Sequence, residues 1–177
     1  MKVMVPFAEG FEEIEALTIV DVLRRAGIEI DMVGVVGSVI TGGHGVRITV
    51  DKKLIEVKAN DYDGIVLPGG DPGYMNLGRS SKLLEIINQL NAKGKLIGAI
   101  CGAPSVLAKA GILENKKATI YPGMEKELPY PRGDRIVVDG NIITSQGPGT
   151  TMEFALKIVE ILMGNQKASN LRNILVV

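Results

Sequence analysis

The stretch from Lys95 to Gly111 constrains this chain more than any other. Lys95 to Ile100 is a short apolar run opened by Gly94, the pattern of a strand buried on both faces. From Ala103 to Ala110 the apolar residues fall at helical spacing, Pro104 suits the first turn, and Gly111 stands where a C-terminal cap is expected. Only Cys101 and Gly102 separate the two segments, so a buried strand must turn into a helix with almost no loop. Cys101 is the only cysteine in the chain. At a helix N-terminus the dipole favours its thiolate, the nucleophilic form.

The remaining segments repeat this alternation. Strands are predicted over Lys2–Phe7, Ile28–Val36 and Asp63–Leu67, with lesser edge strands over Val46–Val50 and Leu54–Val57. Helices are predicted over Phe11–Ala26, with Ile14, Leu17, Ile19, Val20, Val22 and Leu23 as its apolar face, and over Ser80–Ala92. Gly37–Gly45 and Pro68–Gly73 read as turns, and the stretch from Ile120 to Asp134 as a loop with a short helical turn. Arg135–Val138 and Ile142–Ser145 form a hairpin, and Thr150 to Glu153 reads as a capping box opening a last helix to Met163. Strands alternating with helices predict an α/β chain with a mostly parallel sheet covered on both faces. Such sheets bind ligands at the carboxyl ends of their strands, where the turns after Phe7, Leu67 and Ile100 converge.

The 177 residues suit one domain, 1–177. Twenty basic residues against twenty acidic ones leave no bulk charge for a nucleic acid or a membrane surface. No apolar run approaches the roughly 18 residues of a membrane span. A single cysteine asks for no oxidising compartment, and the opening residues carry no signal peptide, so the expectation is cytoplasmic.

Five segments carry a resemblance: AEGFEEIEAL (Ala8–Leu17), DVLRRAGI (Asp21–Ile28), YDGIVLPGG (Tyr62–Gly70), IGAICGAPSVLAKAGIL (Ile97–Leu113) and TSQGPGTTMEFAL (Thr144–Leu156). Together they resemble the ThiJ/PfpI superfamily over nearly the whole chain, most closely the branch of the Parkinson-disease protein. The resemblance implies a flavodoxin-like sandwich, a homodimer, and a reactive cysteine on a strained strand-to-helix elbow. Cys101 matches that cysteine, and Glu15 matches the glutamate that hydrogen-bonds its thiol. Gly69, Gly70 and Gly102 match the backbone N–H groups that face a developing oxyanion. Arg25 aligns with an arginine near the pocket of the closest branch. Two positions depart from the pattern: Gly102 stands where peptidase-like members have histidine, and Tyr121-Pro122 where the closest branch often has His-Pro.

Read without the resemblance, Glu15 belongs to a run with Glu9, Glu12 and Glu13 that suits a solvated face, and helical spacing does not separate it from them. His44, the only histidine, is either a surface loop residue or an imidazole serving Cys101, from the same chain or a partner subunit. Tyr121 is a candidate for lining the pocket. Gly73 to Ser80 mimics a phosphate-binding loop without its lysine, and one histidine with one cysteine is no metal-ligand set, so neither nucleotide nor metal is expected. Glutamine amidotransferases share the cysteine elbow but need a downstream His-x-Glu, which this chain lacks. The resemblance implies a cofactor-free enzyme acting through Cys101 on small reactive carbonyls, glyoxalase III-like or deglycase-like. A redox-sensing or chaperone homodimer and an intracellular cysteine peptidase are the alternatives.

Overall fold

In a computed structural model describing Met1 to Val177, the alternation resolves into nine strands and six α-helices. The strands are β1 (Lys2–Phe7), β2 (Glu29–Gly34), β3 (Val39–Thr41), β4 (Arg47–Thr49), β5 (Lys52–Lys53), β6 (Gly64–Leu67), β7 (Leu96–Ile100), β8 (Ile136–Asp139) and β9 (Ile142–Ser145). The helices are α1 (Glu13–Arg25), α2 (Gly73–Gly78), α3 (Ser81–Ala92), α4 (Pro104–Lys109), α5 (Thr151–Met163) and α6 (Asn165–Leu175). Seven strands form one sheet in the order β5-β2-β1-β6-β7-β9-β8, all pairs parallel except β8 with β9. The five inner strands run 2-1-3-4-5 in chain order, the flavodoxin-like arrangement.

Strand side chains alternate between faces. Val3, Val5 and Phe7 of β1 point into a core of 25 buried residues shared with α1, α5 and α6. Met4 and Ala8 point into a second core of 25 residues under α3 and α4. Equal cores on the two sides explain why β6 and β7 are apolar without interruption: every residue of both strands is buried.

Several segments differ from the sequence expectation for identifiable reasons. Leu54–Val57 is not a strand. Edge pairing is confined to Lys52–Lys53, and Leu54–Glu56 makes a single 3-10 turn closed by Lys53 N–H donating to Glu56 at 2.7 Å. The glycine-rich turn contains β3, which pairs with β4 outside the main sheet. Gly73–Gly78 is helix α2, not loop, and the tail forms α6. The capping box does not form. A 3-10 turn, Pro148–Thr150, leads into α5, and the Thr150 hydroxyl is spent on Gly147 and Ser145, while Glu153 pairs with Arg135. In α1, Ile14 and Leu17 face solvent, 58% and 36% exposed, and Glu15 faces inward instead.

At the opposite end of the sheet from the cysteine, Asp31 is buried and accepts from Tyr62 at 2.7 Å, with Lys52 and Lys2 ammoniums at 2.9 and 3.0 Å. Burial pushes its carboxyl up, but the Lys52, Tyr62 and Lys2 bonds outweigh burial and hold it below its ordinary value. Its stabilising contribution is therefore present above the unfolded value, near pH 4, and lost as pH falls through the lower folded value. Asp31→Asn is expected to cost about 2 kcal/mol at pH 7, and the difference in urea unfolding should shrink below about pH 4. A difference independent of pH contradicts this account.

Candidate active site

β7 delivers Cys101 to the carboxyl end of the sheet, beside the loops that follow β1 and β6. The backbone of Cys101 has φ 62°, in the left-handed region that L-residues avoid, at a cost of about 1–2 kcal/mol. Its own N–H donates to the Ser145 carbonyl at 3.1 Å, and its carbonyl accepts from Tyr121 N–H at 2.9 Å. The elbow expected from the short strand-to-helix junction is thus bonded on both sides.

Glu15, on the first turn of α1, is fully buried. Its Oε2 accepts from Gly69 N–H at 2.7 Å, and its Oε1 is buried without a protein partner. Gly69 lies between the carboxyl and the thiol. A Cβ built there would stand 2.9 Å from Glu15 Oε2 and 3.1 Å from Cys101 Sγ. Gly70 follows with φ 97°, and any side chain on it would collide with the backbone of Gly10 to Glu12. Glu12 N–H donates to Gly69 O at 3.0 Å and Tyr74 N–H to Gly70 O at 2.8 Å, fixing this turn between α1 and α2.

Burial pushes the Glu15 carboxyl up to about 7, against the pull of Gly69 N–H and the Cys101 thiol. The thiol is pushed up to about 12, by burial first and then by the negative charge of Glu15, although the Gly70 and Gly102 N–H groups favour its thiolate. This direction runs against the thiolate that the sequence expects at a helix N-terminus. α4 has only six residues, and burial weighs against the thiolate more than the Gly70 and Gly102 N–H groups favour it. The Glu15 charge holds the thiol's pKa up, whereas the thiol's hydrogen bond draws the carboxyl's down. Two negative charges so close together in a buried site repel, so the pair favours a single charge.

A cavity of about 420 Å³ opens onto the thiol, lined by Gly70, Tyr74, Cys101, Gly102, Tyr121 and Met124 among others. Tyr121 is thus brought to the site. Gly69 is at the site, but its N–H is committed to Glu15, which leaves Gly70 and Gly102 as the donors beside sulfur. Gly102 has no room for a side chain: a Cβ there would stand 2.6 Å from the Tyr74 ring. Tyr74 went unnoticed in the sequence because its segment, Gly73 to Ser80, resembled a loop; only its position just past the Pro68–Gly73 turn pointed to it.

His44 and Arg25 are not brought to the cavity of their own chain. The His44 side chain is 74% exposed, and its Nδ1 lies 3.0 Å from Glu13 Oε2, while its N–H donates to Glu13 Oε1 at 2.7 Å. Glu12 is the third member of this cluster, but both Glu13 oxygens are already engaged, so the group ties the β3–β4 loop to α1. Glu13 draws the imidazole pKa upward. Arg25 pairs with Asp21 one helical turn earlier, at 2.7 Å.

The profile of the DJ-1/PfpI family matches residues 1–161. The chain belongs to this family. "Protein dj-1beta" of Drosophila melanogaster is 43% identical over 169 residues, 93% of this chain and 90% of that protein. "Glutathione-independent glyoxalase DJR-1.2" of Caenorhabditis elegans is 39% identical, over 92% of this chain and 89% of that protein. The solved structure "Toxoplasma gondii DJ-1, oxidized" superposes with TM-score 0.95 at 38% identity, covering 99% of this chain and 97% of that one. The DJ-1-like fold, with its cysteine elbow, is thus the architecture in which the Glu15–Cys101 pair sits.

Proton transfer from thiol to carboxylate would have a pH signature. Below about pH 7 both groups are protonated, and above it the carboxylate can accept the thiol proton as sulfur attacks. Alkylation of Cys101 by iodoacetamide should rise through an apparent pKa near 7 in the wild type. In Glu15→Gln that rise should vanish, and the rate at pH 7.5 should fall at least ~10-fold. An unchanged profile in the variant contradicts proton transfer between the pair.

Proposed function

We propose that the protein is a cysteine-dependent enzyme acting on small reactive carbonyls, converting a 2-oxoaldehyde such as methylglyoxal to the 2-hydroxy acid. One observation carries this reading: a thiol and a buried carboxyl meet across Gly69, with the Gly70 and Gly102 N–H groups beside the sulfur. The printed name of the Caenorhabditis elegans relative supports the same reading.

The steps follow from those groups. Glu15 carboxylate takes the thiol proton as sulfur attacks the aldehyde carbon, and the new alkoxide rests on the Gly70 and Gly102 N–H groups. Glu15 then returns the proton to that oxygen, which completes the hemithioacetal and restores the carboxylate. Next it removes the proton on the former aldehyde carbon and delivers it to the adjacent ketone carbon, with the hydroxyl proton moving to the neighbouring oxygen. The product is a 2-hydroxyacyl thioester on Cys101. Attack by one water releases the hydroxy acid and regenerates the thiol. The thiol proton and the carbon-bound proton both move through Glu15, and neither His44 nor an added cofactor is required.

The second reading, a redox sensor, uses the same two residues. Glu15 Oε1, buried and unpartnered, would donate from its protonated form to an oxidised Cys101. The intracellular peptidase reading has less support, since Tyr74 occupies the space a histidine at position 102 would need. We further propose a homodimer through the outer face of α1. Ile14 is exposed there, and Leu17 lines a groove of about 450 Å³ with Val20, Met32 and Ile48. A cytoplasmic location fits one unpaired thiol. Sedimentation should give twice the chain mass, and Ile14→Glu a monomer; a wild-type monomer overturns the dimer.

Purified protein should form lactate from methylglyoxal without glutathione. Cys101→Ser should abolish the activity and Glu15→Gln reduce it at least ~100-fold. Full activity in Cys101→Ser, or no turnover by folded wild type with a titratable thiol, sinks the enzyme reading. The latter outcome favours the redox sensor.

A further inference from the structure

The cavity at Cys101 has a neighbour. A groove of about 570 Å³ runs between α2 and α4, lined by Met75, Arg79, Ser105, Lys109 and Glu127, among others. Tyr74 is the only residue that lines both spaces. Its ring lies against Gly102, and a Cβ at Gly102 would stand 2.6 to 2.9 Å from three of its ring carbons. The backbone beneath the ring is held in place, with Tyr74 N–H on Gly70 O at 2.8 Å and Gly73 N–H on Gly10 O at 3.2 Å. The ring is therefore fixed by the same turn that places a donor beside the sulfur.

We propose that Tyr74 is a specificity-determining residue: its ring walls the thiol off from the α2–α4 groove and restricts Cys101 to small carbonyl compounds. The proposal extends the reactive-carbonyl reading by naming what sets the substrate size. The groove is polar beyond the wall. Arg79 donates to the Asn76 side chain at 3.0 Å, not to a carboxylate, and Lys109 shares the groove with the single acid Glu127. Removing the ring joins the two spaces and leads from sulfur towards these cations. The compounds that gain should be bulkier carbonyls, those with an anionic tail most of all. Gly102 matters to the wall as much as Tyr74 does, because only glycine lets the ring approach so closely.

The test separates the wall from the chemistry by using two reagents of one reactivity class and different size. Cys101 is alkylated with N-methylmaleimide and with N-pyrenylmaleimide, and the ratio of the two rates is compared among variants. Tyr74→Ala should raise the bulky-to-small ratio about 10-fold, whereas Tyr74→Phe, which keeps the ring, should stay within about 2-fold of wild type. Tyr74→Leu replaces the alanine variant if that variant does not melt cooperatively. An unchanged ratio in a folded Ala or Leu variant overturns the proposal, as does an equal rise in Tyr74→Phe. In parallel, the kcat/KM ratio of phenylglyoxal to methylglyoxal should rise in Tyr74→Ala. If the wild type consumes neither aldehyde, the carbonyl reading fails, and the maleimide ratio still decides the wall.

Discussion

Cys101 sits at φ 62° with both of its backbone groups hydrogen-bonded to neighbouring segments. Its N–H is bonded to Ser145 at the end of β9, and its carbonyl to Tyr121 in the long loop after α4. These contacts hold a residue that would otherwise relax by about 1–2 kcal/mol, and they turn its side chain out of the sheet towards the β1 and β6 loops. The parallel sheet supplies the frame, since β6, β7 and β9 end side by side in register. The Pro68–Gly73 turn then closes the site, with Gly70 in a backbone conformation reserved for glycine.

Charge is the second constraint. A buried carboxyl and a buried thiol cannot both ionise at Gly69 without mutual repulsion in a medium that screens poorly. The arrangement favours a single negative charge, and under the proposed mechanism the carboxylate takes the place a histidine would have beside the thiol. His44, the only imidazole, is engaged with Glu13 at the outer end of α1. In a chain lacking the Cys-His pair, Glu15 is the titratable side chain placed beside the sulfur. Gly102 suits the position after the cysteine because the space that a histidine would fill belongs to Tyr74.

Much of the fold was legible because its signals are local. The β7–α4 junction showed itself in an unbroken apolar run, one cysteine and a proline suited to a first helical turn. Glu15 was different. Helical spacing alone favoured Ile14 and Leu17 for the interior, yet Ile14 is exposed and Glu15 buried, because the first turn of α1 faces the Pro68–Gly70 loop rather than the sheet. Only the family motif identified it. The thiol differs for a related reason: a helix N-terminus can be read from sequence, but the burial that pushes the thiol pKa up depends on which loops cover the site. Tyr74 belongs to a helix hidden in a loop-like composition, and its closeness to Gly102 is a long-range contact without sequence periodicity.

The shared proton is the central claim, and the carboxyl carbon of Glu15 reports it most directly. A ¹³C NMR titration of specifically labelled Glu15, with thiolate absorbance at 240 nm followed on the same sample, reads both partners. The account predicts a carboxyl midpoint near 7 that is displaced when Cys101 is replaced by serine. A midpoint at the ordinary value of about 4.5, unmoved by that substitution, would contradict it.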